Sequence, residues 1–113
     1  MDFKRTIDIL PYALANHPLD NCLAAKENGK WKTYSTQDFS DKVSQMSHAL
    51  IELGVEPGDK ISSITNNRPE WNFMDMGMSQ IGAVHVPIYA NQGPDEYKHI
   101  LTHSDARMII VSY

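Results

Sequence analysis

"KISSITNNRPEWNFMDMGMSQIGAVHVPIY", residues 60–89, decides the fold. "KISSIT" is short and half β-branched, which predicts a strand of about six residues. Arg68-Pro69-Glu70 then opens a helix. Proline suits the first helical position, and glutamate is favoured by the positive end of the helix dipole. The spacing carries the helix to about Ile81. "AVHVPI" is the next strand. A strand, a helix and a second strand in one run of 30 residues predict a βαβ unit with a parallel strand pair.

The pattern extends outward in both directions. Downstream, "GPDEYKHILTHSDA" has Pro94, Asp95 and Glu96 in a first helical turn, and "RMIIVS" is a dense apolar strand of the kind buried on both faces. Upstream, Ser35 and Asp38 form a capping box with Asp in place of Glu. Phe39, Val43, Met46, Ala49, Leu50 and Leu53 follow at helical spacing, and Gly54 ends the helix. Asn28-Gly29 predicts a two-residue hairpin turn between strands at 22–27 and 30–34. Residues 6–16 read as a short helix with Thr6 as its cap and Asp8 in its first turn; Pro11 makes its start irregular. The reading is therefore α/β over residues 1–113: a helix at 6–16, an amino-terminal β-hairpin at 22–34, and αβαβαβ over 35–113. The last part is a parallel sheet of βαβ units with flanking helices. The three strands are centred near Ile64, Val86 and Ile110.

Composition narrows the function. The chain has 113 residues, one domain at most, with 42% hydrophobic and 21% charged residues. A net charge of −4 with ten scattered Lys and Arg argues against nucleic-acid binding. The single cysteine, Cys22, cannot form an internal disulfide, which fits a reducing compartment. "MDFKRTIDIL" is not a signal peptide, and no segment approaches the roughly 18 apolar residues of a membrane span. A cytoplasmic location is expected.

Few residues offer chemistry. "GVEPGDK" at 54–60 lacks the spacing of a phosphate loop and precedes a strand, so it reads as a turn. His99 and His103 are four apart but lack the adjacent glutamate and a third ligand of a zinc site, so a solvated helix face is expected. His85 reads as a sheet-face side chain satisfied locally. Met74, Met76 and Met78 read as packing residues. No catalytic, cofactor-binding or metal residue is assigned. The candidates on the substrate side are Asn66, Asn67 and Tyr89, because ligands of open α/β sheets bind beyond the carboxyl ends of the strands. The plainer reading of Asn66 or Asn67 is a helix cap, and that of Tyr89, Asn91 and Gln92 a solvated loop.

With "WKTYSTQDFSDKVSQMSHALIELGVEPGDKI", "NNRPEWNFMDMGMSQIGAVHVPIY" and "DEYKHILTHSDARMIIVS" in this order, the chain resembles the amino-terminal part of the AMP-binding, adenylate-forming enzymes. Within them it is most similar to the long-chain fatty acyl-CoA synthetases. "TYSTQDF" is similar to the first core motif and "SQIGAVHVPIY" to the second. Thr36 stands where an aromatic residue is usual, a departure read as a surface variation. The resemblance implies a long-chain-fatty-acid–CoA ligase using ATP, Mg²⁺ and CoA, with fatty acid as substrate. It also implies that the phosphate loop, the ribose-binding Asp and the catalytic Lys would lie downstream of Tyr113. The chain is then an inactive fragment whose partner is the remainder of the enzyme. Its final strand without a covering helix fits such a truncation, and the exposed apolar edge is expected to cause self-association. Two alternatives stay open: a stand-alone non-catalytic α/β module, and a ligase for another carboxylic acid.

Overall fold

The computed structural model describes residues 3–112, so Met1, Asp2 and Tyr113, the ends of the expected 1–113 unit, lie outside the described residues. The elements are a 3-10 turn at Thr6–Asp8, α1 (Ile9–Asn16), β1 (Leu23–Glu27), β2 (Lys30–Tyr34), α2 (Thr36–Glu52), β3 (Lys60–Ile64), α3 (Pro69–Gln80), β4 (Val84–Ile88), α4 (Pro94–Ser104) and β5 (Met108–Val111). β1 and β2 form an antiparallel hairpin with Lys26 opposite Trp31. Asn28 (φ 51°) and Gly29 (φ 79°) take the positive φ values of a type I′ turn.

The second sheet has the order β4-β3-β5 and is parallel throughout, as the strand–helix alternation predicts. Its register pairs Ile61 with both His85 and Met108. Helices α2 and α3 pack against each other. Ile61, Met108 and Ile110 meet Leu50, Val55, Met74 and Met78 in the core beneath those helices. Strand alternation turns Ser62, Ile64, Ile109 and Val111 to the opposite face, where α4 lies against β4. Pro87 sits inside β4, an edge strand, where a residue without an N–H is tolerated.

The α2 amino terminus is a complete capping box. Ser35 Oγ accepts from the Asp38 N–H at 2.9 Å, and Asp38 Oδ2 accepts from the Ser35 N–H at 3.0 Å. The buried seam of α2 differs from the expected one, since Ala49 and Leu53 face solvent while Thr36, Val43, Ser47 and Leu50 are buried. Two hydroxyls enter the seam because each finds a partner. Thr36 Oγ1 accepts from the Leu19 N–H at 2.9 Å. Ser47 Oγ donates to the Gly77 carbonyl at 2.9 Å, and the Gln80 side-chain amide lies 2.7 Å from it. Thr36 is thus no surface variation: it is only 2% exposed and ties α2 to the segment after α1.

Two further expectations need correction. Thr6 does not cap the first helix; Arg5 holds the extended cap position, and the Asp8 carboxylate accepts from its N–H and its guanidinium at 3.0 and 2.9 Å. The irregular start expected from Pro11 is present as the 3-10 turn, which places Pro11 in the first α turn, where a missing N–H costs little. Strand β5 is not buried on both faces: it is an edge strand, and Ile109 and Val111 are 46% and 64% exposed. Its composition is that of a covered strand, but no helix of the described residues follows it.

Candidate functional site

Two clefts open at the carboxyl ends of the parallel strands. The chain leaves β3 through Thr65, Asn66 and Asn67 before α3, and leaves β4 through Tyr89, Ala90 and Asn91 before α4. These two loops form one cleft of about 580 Å³, floored by Ile88 and walled by Trp71. Asn66, Asn67 and Tyr89 all line it, so the three residues predicted from strand-end logic come together. Asn91 joins them, whereas Gln92 faces a separate shallow hollow beside Glu96 and His99. The second cleft, of about 620 Å³, lies between strand β1 and the same Asn66–Trp71 segment. Trp71, Asn66 and Asn67 are common to both.

Neither asparagine caps α3. The cap position belongs to Arg68, extended at φ −161° and without a side-chain capping bond. Asn66 instead joins two strand ends: its Oδ1 accepts from Ser112 Oγ at 3.2 Å, and its N–H approaches the same oxygen at 3.4 Å. That leaves the mouth of α3 open between the clefts. Arg68 Nε lies 3.9 Å from the Glu70 carboxylate, both half exposed. Tyr89 is 80% exposed at the rim.

Thr65 is the residue that sequence reading missed. Its Oγ1 is buried and has no hydrogen-bond partner among the described residues, while the residue lines the cleft between the two loops. A buried hydroxyl without a partner costs about 1–3 kcal/mol, so this position calls for a donor or acceptor from elsewhere. Only its place at the end of "KISSIT" could have flagged it. Trp71 lies in the same stretch of sequence, and its place as the common wall follows only from the fold.

His85 is satisfied locally, as expected, and by more than one partner. Its Nδ1 lies 2.9 Å from Asp75 Oδ1 on α3, and its Nε2 lies 2.7 Å from Ser63 Oγ on β3. The Trp71 ring sits 5.1 Å from the imidazole, tilted by 44°. Met74 and Met78 are core residues, and Met76 is half buried. His99 and His103 stack at 5.7 Å on the exposed face of α4. Among the described residues no three potential metal ligands cluster, and no helix is long and apolar enough to cross a membrane.

Parallel βαβ order with clefts at the strand ends defines an open-sheet α/β domain, and comparison with known proteins identifies which one. Residues 11–113 match the profile of the AMP-binding enzymes, and the chain belongs to that family. It is 30% identical over 88 residues to fatty acyl-CoA synthetase A of Dictyostelium discoideum, covering 78% of this chain and 13% of that protein. It is 39% identical over 79 residues to 4-hydroxybutyrate–CoA ligase 2 of Metallosphaera sedula, covering 70% and 14%. The crystal structure of the anthranilate CoA ligase AuaEII in complex with anthranoyl-AMP superposes with a TM-score of 0.80 at 28% identity, over 96% of this chain and 20% of that one. A fatty acid AMP ligase from Legionella pneumophila, at 18% identity and a TM-score of 0.83, shares the fold. The chain therefore spans between an eighth and a fifth of these four proteins, and it corresponds to part of the large amino-terminal domain of adenylate-forming enzymes.

Proposed function

We propose that this chain is the opening part of an AMP-forming acid–CoA ligase whose acid is a fatty acid, and that it has no ligase activity alone. In this reaction a carboxylate oxygen bonds to the α-phosphorus of ATP and pyrophosphate leaves. The CoA thiol sulfur then bonds to the acyl carbon and AMP leaves. The observation that carries the reading is the cleft at the ends of β3 and β4, with Asn66, Asn67 and Tyr89 around the unpartnered Thr65 Oγ1, in a chain of this family. Such a set of amides and hydroxyls suits hydrogen bonds to a neutral or singly charged group. It does not suit a magnesium triphosphate, which needs carboxylates for the metal and unpaired cations for the phosphates. On this reading those groups, and any contact with CoA, come from the rest of the enzyme, which is the chain's principal partner, in the cytoplasm.

A second reading keeps the reaction and changes the acid. The 39% identity to a 4-hydroxybutyrate–CoA ligase favours it. ATP–pyrophosphate exchange decides between the readings. The chain alone is expected to give no exchange with any acid; exchange above a buffer blank would refute the fragment reading. A longer product of the same gene, with downstream sequence included, is expected to exchange fastest with a long-chain fatty acid. Preference for a short hydroxy or aryl acid would move the assignment within the class. No exchange with any acid would favour a non-catalytic module.

A further inference from the structure

Ser63, His85 and Asp75 form a hydrogen-bonded line across the covered face of the sheet. Ser63 Oγ lies 2.7 Å from His85 Nε2, and Asp75 Oδ1 lies 2.9 Å from His85 Nδ1. The order hydroxyl, imidazole, carboxylate is that of a nucleophilic triad. Its setting excludes that use. Ser63 is 1% exposed in the middle of the central strand, and neither Ser63 nor His85 lines either cleft at the strand ends. A nucleophile that substrate cannot reach does no chemistry.

The line fixes the imidazole instead. An ionised carboxylate only accepts hydrogen bonds, so Asp75 requires the proton on Nδ1. A neutral ring then leaves Nε2 as an acceptor, and the Ser63 hydroxyl donates to it. Both ring nitrogens are engaged, one from β3 and one from α3, and the His85 side chain is only 7% exposed. The ring has no freedom to turn. The Trp71 ring lies beside it, 5.1 Å away and tilted by 44°, one turn before Asp75 on α3, and it also packs against the core. Trp71 is in turn the wall shared by both clefts.

We propose that His85 is a positioning residue. Held as the Nδ1–H tautomer between Asp75 and Ser63, it sets the orientation of Trp71 and so the shape of the cleft that contains Thr65, Asn66 and Asn67. The positioning of Trp71 stands on geometry alone; that the cleft receives substrate rests on the ligase reading above. The chain is suited to the test, since it has two tryptophans and Trp31 is 69% exposed on the hairpin.

The experiment is nitrogen NMR of the His85 ring in the full chain, with the Trp71 indole N–H followed in the same samples. The natural chain is expected to show one tautomer, protonated at Nδ1. Asp75→Asn offers the ring either an acceptor or a donor, so the Nε2–H tautomer is expected to appear and the Trp71 indole resonance to shift. Ser63→Ala is expected to retain the Nδ1–H tautomer while also shifting Trp71, because the ring loses its second tether. An Nε2–H tautomer in the natural chain overturns the proposal without any substitution. So does a change of tautomer that leaves Trp71 in place. If Asp75→Asn does not fold, Ser63→Ala decides: an unmoved Trp71 resonance overturns the proposal. None of these readouts uses ligase activity, so a failure here is distinct from a failure of the functional assignment.

Discussion

Gly77 on α3 lies tight against α2, and adding one methyl group there has an outcome that can be worked out. A Cβ at this position would lie 2.8 Å from Met46 Cγ, 3.0 Å from Met46 Cβ and 3.4 Å from the Ser47 backbone nitrogen. Helix propensity alone favours Gly77→Ala by about 1 kcal/mol. Forcing a methyl into a packed interface costs about 1–3 kcal/mol, and here the obstacle includes the root of a side chain and backbone, which cannot swing aside. The approach is also fixed by the hydrogen bond from Ser47 Oγ to the Gly77 carbonyl. The clash should win, with a net loss of about 1 kcal/mol. With a urea slope of ~2 kcal/mol per molar, the unfolding midpoint falls by about 0.5 M. Met46→Ala removes the 2.8 Å obstacle and leaves the 3.0 Å one, so in that background Gly77→Ala should cost less, by a coupling of about 1 kcal/mol. Urea unfolding of the four chains, followed by circular dichroism, measures both quantities. Stabilisation by Gly77→Ala in the natural background, or an equal cost in both backgrounds, would refute the argument.

Ser47→Ala should destabilise the chain by about 1–2 kcal/mol in the same assay, since the buried Gly77 carbonyl loses its donor and the exposed Gln80 side chain its contact. Asp59 is held below the ordinary aspartate range, first by the Glu56 N–H at 2.8 Å and then by the Arg107 guanidinium at 2.6 Å. Its folded value is the lower one, so its contribution is present above the unfolded value and is lost as pH falls through the folded one. The stability gap between the natural chain and Asp59→Asn should therefore be full at neutral pH and close below about pH 3.9; a gap independent of pH would contradict this. The exposed Ile109 and Val111 on edge strand β5 should drive self-association, detected as a concentration-dependent sedimentation coefficient that Val111→Lys abolishes. A natural chain that stays monomeric at high concentration would count against it.

Much of the frame was legible because each signal was local. Asn28-Gly29 dictates its turn through backbone sterics, Ser35 and Asp38 satisfy each other's N–H groups, and the strand–helix alternation implies parallel pairing. What escaped reading depended on contacts between distant segments. Thr36 reads as a surface residue until Leu19, 17 positions away, supplies its hydrogen bond. Strand β5 reads as buried because composition reports the environment a strand is suited to, not what covers it. Strand-end logic brought Asn66, Asn67 and Tyr89 to one cleft, since topology fixes where such loops gather. It could not reveal that Thr65 and Trp71 line the same cleft, the one with an unmade hydrogen bond and the other tilted against His85.

Pro87 gives the sheet a direction of growth. Pro87 takes one N–H from β4, which disfavours the pairing of a further ribbon along that border, while the border along Met108–Val111 contains no proline. An additional ribbon, from the same polypeptide or from another copy, therefore meets less hindrance beside β5.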